Sequence, residues 1–304
     1  TRPDLISRSE LIFNRKLGVT KFQIGIQSLD DHILALNKRG HTVEQARQAV
    51  DLLRAAGFKV VAHWMPNLLG ATLESDRADF AKLWIEGSIQ PDEIKIYPCQ
   101  LLQNTELYHY WQNGEYQPYS EEQLIDLLAD IKPTVPRYCR INRVIRDIPS
   151  TNVVAGNRNT SLRQDVAREL ERRGKRCNCI RCREIRGSHM QKANLELHDL
   201  IYQTGVSEEH FLSYDTEDDR LAGFLRLSLP YENNVLALPD LEDAAIIREV
   251  HVYGQSLEVG TEQAGAAQHA GLGKNLIQRA EDIARTKGYA SLAVIAAVGT
   301  RQYY

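Results

Sequence analysis

The sequence predicts an α/β region followed by a separate α+β unit. Three observations predict it. Strand-like and helix-like hydrophobic patterns alternate through the first 150 residues, strand patterns then follow one another beyond residue 190, and a glycine-containing turn near the end leads into one long amphipathic helix. At 304 residues the chain has room for two cores, given roughly 100–200 residues per domain.

In the first region "KFQIGIQ" alternates as a strand, "TVEQARQAVDLLRAAG" carries helical spacing and stops at Gly57, and "FKVVAHWM" gives the next strand. The helix "LESDRADFAKLWIEG" leads to the strand "DEIKIYP", and a longer helical stretch leads to "CRINRVIR". Strands separated by helices pair in parallel through right-handed crossovers. With about 30 residues per unit, four such units amount to roughly half of an eight-stranded barrel. The chain is therefore expected to begin inside a domain.

Residues 151–190 read as a basic linker, with the helix "TSLRQDVARELERRG" followed by "KRCNCIRCREIRG". "GSHM" at 187–190 resembles an expression-tag remnant, so His189 carries no weight. From 191 to 304, "HFLSYDT", "RLAGFLRLSLP" and "AAIIREVHVYG" read as antiparallel strands, followed by the glycine turn, its helix and the strand "LAVIAAVG".

Charge is segregated. Between Lys132 and Arg186 there are fifteen Lys/Arg against five Asp/Glu, so this window is +10 while the whole chain is −3 and the remainder −13. Such segregation suits a polyanionic partner, and a solvated helix face is the plainer alternative. Arg137, Arg140, Arg143, Arg158, Arg172, Arg173 and Arg181 are the candidate phosphate contacts. No run approaches the ~20 apolar residues needed to cross a bilayer, and "TRPDLISRSEL" lacks the apolar centre of a secretory signal. A cytoplasmic home without membrane contact is expected.

Five cysteines do not make a disulfide framework in a chain of this size. Cys177, Cys179 and Cys182 lie within six residues among cations that favour thiolates, which points to Zn2+. A fourth ligand is left open among Cys99, Cys139 and a histidine, and free thiols in a linker are the alternative.

A strand-to-helix turn with two glycines lets backbone amides approach a pyrophosphate, aided by the helix dipole. Gly271 and Gly273 offer that approach and Lys274 a charge, although a plain tight turn has the same shape. The run Gln268-His269-Ala270-Gly271-Leu272-Gly273 resembles the Gln/Arg-x-x-Gly-x-Gly/Ala signature of GNAT acetyltransferases. That resemblance implies an acetyl-CoA site on Gln268, His269, Gly271, Leu272, Gly273 and Lys274, with Tyr303 or Tyr304 near the leaving thiolate.

A second resemblance covers the first region. Gly25-Ile26-Gln27-Ser28, followed by Asn37-Lys38-Arg39-Gly40-His41, is similar to the middle of radical SAM barrels. "MPNLLGAT" resembles their Pro-Gly-x-x-Gly-Thr loop, with Asn67 where the loop carries glycine. With "EIKIYP", "TELYHYW", "GEYQPYS", "RVIRDIP", "VAGN" and "CIRCREI" added, nearly the whole chain resembles the Elongator catalytic subunit family in a bacterial or archaeal-like form. The implied fold is a partial radical SAM (β/α) barrel over 1–150, then a GNAT-fold domain over 191–304.

The implied function is tRNA modification: S-adenosylmethionine and acetyl-CoA build a carboxymethyl group on C5 of the wobble uridine, with tRNA-stimulated acetyl-CoA hydrolysis. In that chemistry a 5′-deoxyadenosyl radical takes hydrogen from the acetyl methyl, and the carbon radical adds to uridine C5. The partner is the anticodon stem-loop, and a homo-oligomer is allowed. A [4Fe–4S] cluster belongs to the complete protein, but no Cys-x3-Cys-x2-Cys motif occurs here.

Individual residues keep competing roles. Gln27 and Ser28 end a strand, where parallel barrels build their sites, and either contact adenosylmethionine or bond their own loop. Lys95 shares a strand face with Tyr97 and needs an anion, from the cofactor or from an ion pair. His63 is read as facing the site or as a satisfied core histidine, and Glu249 and His251 as positioning water or as a paired strand face. Two other functions remain in play: a protein lysine acetyltransferase, and a non-catalytic tRNA-binding scaffold.

Overall fold

The computed structural model describes residues 1–145, 148–185, 195–231, 238, 241–253 and 271–304. In chain order the elements are α1 (Arg8–Lys16), β1 (Lys21–Gln27), α2 (Asp31–Leu36), α3 (Val43–Ala55), β2 (Lys59–Trp64), α4 (Leu73–Lys82), β3 (Glu93–Ile96) and β4 (Leu101–Leu102). Then come α5 (Glu106–Gln112), α6 (Glu121–Ile131), β5 (Arg140–Arg143), β6 (Val153–Ala155), α7 (Leu162–Arg172) and α8 (Ile180–Arg183). The last are β7 (Leu195–Gln203), β8 (Ser207–Thr216), β9 (Leu221–Pro230), β10 (Ala244–Val252), α9 (Leu272–Thr286) and β11 (Ser291–Val294). They fall into two compact units: Thr1–Ile6, Gln23–Val50 and Val60–Cys179 form one, and Ser7–Phe22, Asp51–Lys59 and Ile180–Tyr304 the other.

The first unit is built on a four-stranded sheet in the order β1-β2-β3-β5, with β2–β3 and β3–β5 parallel. Period-two alternation puts Ile24, Ile26, Val60, Ala62, Trp64, Ile94 and Ile96 on one face, and all seven are fully buried. Side chains fix where the helices begin. Asp30 caps α2 by accepting from the amides of His32 and Ile33, and Thr72 with Ser75 and Ser120 with Gln123 form capping boxes on α4 and α6. Helix α3 ends where predicted, with Gly57 at φ +76° just beyond it. A Cβ there would come within 3.0 Å of the Ile295 side chain, so glycine is required on packing grounds as well.

The second unit holds a five-stranded sheet in the order β11-β10-β9-β8-β7. Its pairs are antiparallel except β10–β11, which are parallel. Helix α9 lays Leu276, Ala280, Ile283 and Ala284 against Leu212, Leu225, Leu227, Ala245 and Ile247. A buried ion cluster occupies other positions of the sheet. Glu209 accepts from Arg248 Nη2 at 2.6 Å and from Ser207 Oγ at 2.7 Å, and Arg54 Nε lies 4.0 Å away.

Candidate functional site

The carboxyl edge of the parallel sheet gathers polar groups. On the face opposite the apolar one, β1 presents Gln23, Gly25 and Gln27, β2 presents His63, and β3 presents Lys95 ahead of Tyr97. Gln23 Oε1 receives Lys95 Nζ at 2.6 Å and His63 Nε2 lies 3.2 Å from it, while the rings of His63 and Tyr97 meet edge-on at 5.3 Å. Lys95 and His63 are direct cross-strand partners. Lys95 therefore stands in a polar cluster, and His63 joins it instead of packing in the core.

At the end of β1 the backbone turns over sharply. Gln27 has φ +66°, which costs about 1–3 kcal/mol for a residue with a side chain. Its side chain is buried, and its Oε1 has no hydrogen-bond partner among the described residues. An orphaned buried acceptor calls for a donor, from water or from a ligand. A Cβ on Gly25 would meet Gln27 Nε2 at 2.6 Å, so glycine at 25 lets that side chain fold back over the strand. Arg39 lies on the same side, with Nη2 3.7 Å from that same point and a buried Nε that has no partner among the described residues. Burial lowers the Arg39 pKa, assisted by Arg2.

The neighbouring turns are held by acids. Asp79 accepts from the Leu29 amide at 2.9 and 3.1 Å and from Trp64 Nε1 at 2.8 Å, and also bonds the Ser28 side chain. Asp76 accepts from the Asn67 amide at 2.7 Å and from Tyr119 Oη at 2.9 Å. Asn67 adopts φ +63°, so it takes the left-handed conformation that glycine takes without penalty and asparagine tolerates. Burial pushes Asp76 up to about 6 against those two hydrogen bonds, and pushes Asp79 up as well. A cavity of about 440 Å³ opens beside Asn67, bordered by Thr72, Glu74, Tyr116 and Tyr119.

In the second unit β10 and β11 part company. Their pairing runs from Ala244 with Ser291 to Ile247 with Val294, and the amide of Ile295 donates to the carbonyl of Ile247 at 2.9 Å. A bulge follows between Ile247 and Glu249 in the β9 register, and β10 continues to Val252 paired with β9 on its other side. Gly271 is the N-cap of α9, without a side-chain capping bond; Leu272 and Gly273 are buried in its first turn, and Lys274 is exposed. Gln268 and His269 lie outside the described residues, as do residues 187–190. Tyr303 sits in a short 3₁₀ helix, Val298–Tyr303, and Tyr304 follows it, exposed. Glu249 accepts from Lys59 at 2.5 Å and from Arg226 at 2.9 Å. Burial raises its pKa, but the two cations outweigh that and hold it low, which suits a structural carboxylate better than a base. His251 stacks on Phe224 with centroids 5.8 Å apart.

The thiol sulfurs of Cys177, Cys179 and Cys182 all lie within 4.8 Å of one another, the first two buried and the third exposed. None of the five cysteines is in a disulfide. These three suit a tetrahedral zinc with one further ligand. They do not suit a [4Fe–4S] cluster of the radical SAM type, whose ligand spacing they lack.

The arginines divide. Arg173 binds Asp126, Asp130 and Glu169 at 2.6–3.0 Å in a network that also includes Arg77. Arg172 forms a fork with Glu169, both bonds 2.7 Å, and the two arginines hold Glu169 down at about 2. Arg158 donates to the carbonyls of Val153 and Val154. Arg143 is exposed and pairs in register with Lys95, while Arg137, Arg140 and Arg181 are half-buried.

Sequence reasoning missed Gln23, Asp76 and Asp79. Asp76 and Asp79 share a helical stripe with Phe80 and Leu83, and carboxylates on an otherwise apolar stripe were the available signal.

This sheet, with its polar carboxyl edge, defines a radical SAM-type protein: the Radical SAM superfamily model matches residues 1–83 and the Radical_SAM C-terminal domain model residues 91–172. The whole chain aligns at 40% identity over 310 residues with the tRNA uridine(34) acetyltransferase of Dehalococcoides mccartyi, covering 67% of that protein. It aligns at 37% identity over 314 residues with that of Methanocaldococcus jannaschii, covering 58%, and at 36% over 310 residues with human Elongator complex protein 3, covering 56%. A solved structure of archaeal Methanocaldococcus infernus Elp3 with an N-terminal deletion superposes with a TM-score of 0.91 at 34% identity, spanning all of this chain and 73% of that one. The chain belongs to the tRNA uridine(34) acetyltransferase and Elongator complex protein 3 family. It spans 56–67% of the length of these curated relatives.

Proposed function

We propose that the protein is a tRNA-modifying enzyme that uses S-adenosylmethionine and acetyl-CoA to place a carboxymethyl group on C5 of the wobble uridine. The observation that carries this reading is the orphaned Gln27 Oε1, buried beside Arg39 on the sheet face that also carries Lys95. An acceptor without a donor, next to cations, suits a ligand with both an N–H or O–H group and a carboxylate. The amino-acid end and ribose of adenosylmethionine have both.

Gln27 and Ser28 would hold the hydroxyl or ammonium groups, and Lys95 and Arg39 the carboxylate. Adenosylmethionine, when bound, supplies hydrogen-abstracting chemistry; the Cys-x-Cys-x2-Cys spacing of this chain is not that of its customary cluster. The protein's share is to orient reactants and exclude water.

In the second unit the parting of β10 and β11 beyond Ile247 leaves strand edges that a pantetheine chain can follow, in keeping with a GNAT fold. Amides at the start of α9, from Gly271, Leu272 and Gly273, would face the pyrophosphate, joined by Lys274. With acetyl-CoA bound, the hydroxyl of Tyr304, or of Tyr303, would protonate the thiolate that leaves when water cleaves the thioester. The exposed Arg143 and Arg158 are the better placed for tRNA phosphates, since Arg172 is forked onto Glu169 and Arg173 is already neutralised by three carboxylates. A zinc at Cys177, Cys179 and Cys182 would have a structural role.

Acetyl-CoA hydrolysis by the full-length protein tests the reading. Stimulation by tRNA and indifference to lysine-rich peptides are expected. Stimulation by peptides alone would favour a protein acetyltransferase, and tRNA binding with no affinity for acetyl-CoA would leave a scaffold.

A further inference from the structure

Helix α4 carries two buried carboxylates one turn apart, Asp76 and Asp79, and each reaches a different turn at the carboxyl edge of the sheet. Asp79 grips the turn after β1 through the Leu29 amide and the Ser28 side chain, and it is anchored by Trp64 Nε1. Asp76 grips the turn after β2 through the Asn67 amide. Both turns contain a left-handed residue with a side chain, Gln27 at φ +66° and Asn67 at φ +63°. Such conformations persist only where the surroundings over-determine them. Burying two carboxylates against their own desolvation is costly, and a fold that needed only stability would place apolar side chains beside Phe80.

We propose that Asp76 and Asp79 are paired positioning residues: from one helix they set the Ser28–Leu29 and Asn67 turns, and thereby the Gln27 acceptor, in the shape that receives the adenosyl ligand. This rests on the adenosylmethionine reading above and adds to it the residues that shape the site without touching the ligand. Asp79 acts through Ser28 and Leu29, directly beside Gln27. Asp76 acts through Asn67 and is itself oriented by Tyr119.

Because one oxygen of Asp76, Oδ2, accepts both of its hydrogen bonds, asparagine can reproduce them and alanine cannot. In the full-length protein with its cluster reconstituted, Asp76→Ala should weaken adenosylmethionine binding about tenfold by calorimetry, and Asp76→Asn should restore it to within about twofold. Asp79→Ala should weaken it at least as much, since it frees three donors. Equal affinity in wild type and both alanine variants would overturn the proposal, as would an asparagine variant as weak as alanine. Amide hydrogen exchange supplies a second reading that needs no bound ligand. Leu29 should exchange faster in Asp79→Ala, and Asn67 faster in Asp76→Ala but not in Asp76→Asn; unchanged exchange at both amides would also overturn it. If wild type binds no adenosylmethionine, the functional reading fails while the exchange data still decide whether the two acids set the turns.

Discussion

Lys95 Nζ donates to Gln23 Oε1 at 2.6 Å, across the strand that carries His63, and the three side chains form one polar cluster on the sheet face. Removing the ammonium takes away a charge that the proposed carboxylate would meet. Lys95→Met is expected to weaken adenosylmethionine binding about tenfold or more while far-UV circular dichroism stays the same. Calorimetry on the folded variant would decide, and unchanged affinity would remove Lys95 from the site.

The three sulfurs within 4.8 Å of one another predict one zinc per chain. Native mass spectrometry should find that single ion, and Cys179→Ser should lose it along with several degrees of thermal stability. A metal-free wild type after purification in zinc-containing buffer would contradict this.

The Asp76 carboxyl, lifted to about 6 by burial from an ordinary 3.8, gives a signed pH dependence. The unfolded chain releases this proton at lower pH than the folded one, so protonation favours folding and stability drains away as pH rises between about 4 and 6. A rise of that size costs the folded state about 3 kcal/mol once the group is ionised. Asp76→Asn, which cannot ionise, should gain on wild type by roughly that amount as pH rises from about 3 to 7 in urea melts. Parallel curves would show that Asp76 titrates normally.

Glu209 lies fully buried among Arg248, Arg54 and Ser207. Removing one partner of such a cluster strands buried charge, so Glu209→Ala should destabilise the second unit by about 3–5 kcal/mol. Glu209→Gln should recover part of the loss by keeping an acceptor for Ser207 and Arg248. A neutral alanine variant in chemical denaturation would mean that the cluster is solvated.

How far the sequence revealed this depends on what each residue faces. Strands β1, β2, β3 and β5 were legible because apolar residues alternate against one buried face, and their parallel order followed from the intervening helices. Strand β7 was not: "LELHDLIYQ" is an edge strand, mostly exposed, whose polar residues hide the alternation. Lys95, Gln27 and the cysteine cluster could be named because each residue type is conspicuous in its pattern. Asp76 and Asp79 escaped because acids in a helix read as solvent-facing, and only tertiary burial shows otherwise. The commitment of Arg173 to Asp126 and Asp130 was hidden because those acids are more than forty positions away, outside the basic window in which the charge was counted.

An enzyme that alters C5 of the wobble uridine leaves its mark on the tRNA of the cell that makes it. Nucleoside mass spectrometry of tRNA from cells with and without the gene reads that mark without any reconstituted component. A C5-carboxymethyl-type uridine should disappear on deletion, return with the wild-type gene and stay missing with Lys95→Met. A nucleoside profile that is identical in the deleted and parental cells would refute the proposed role.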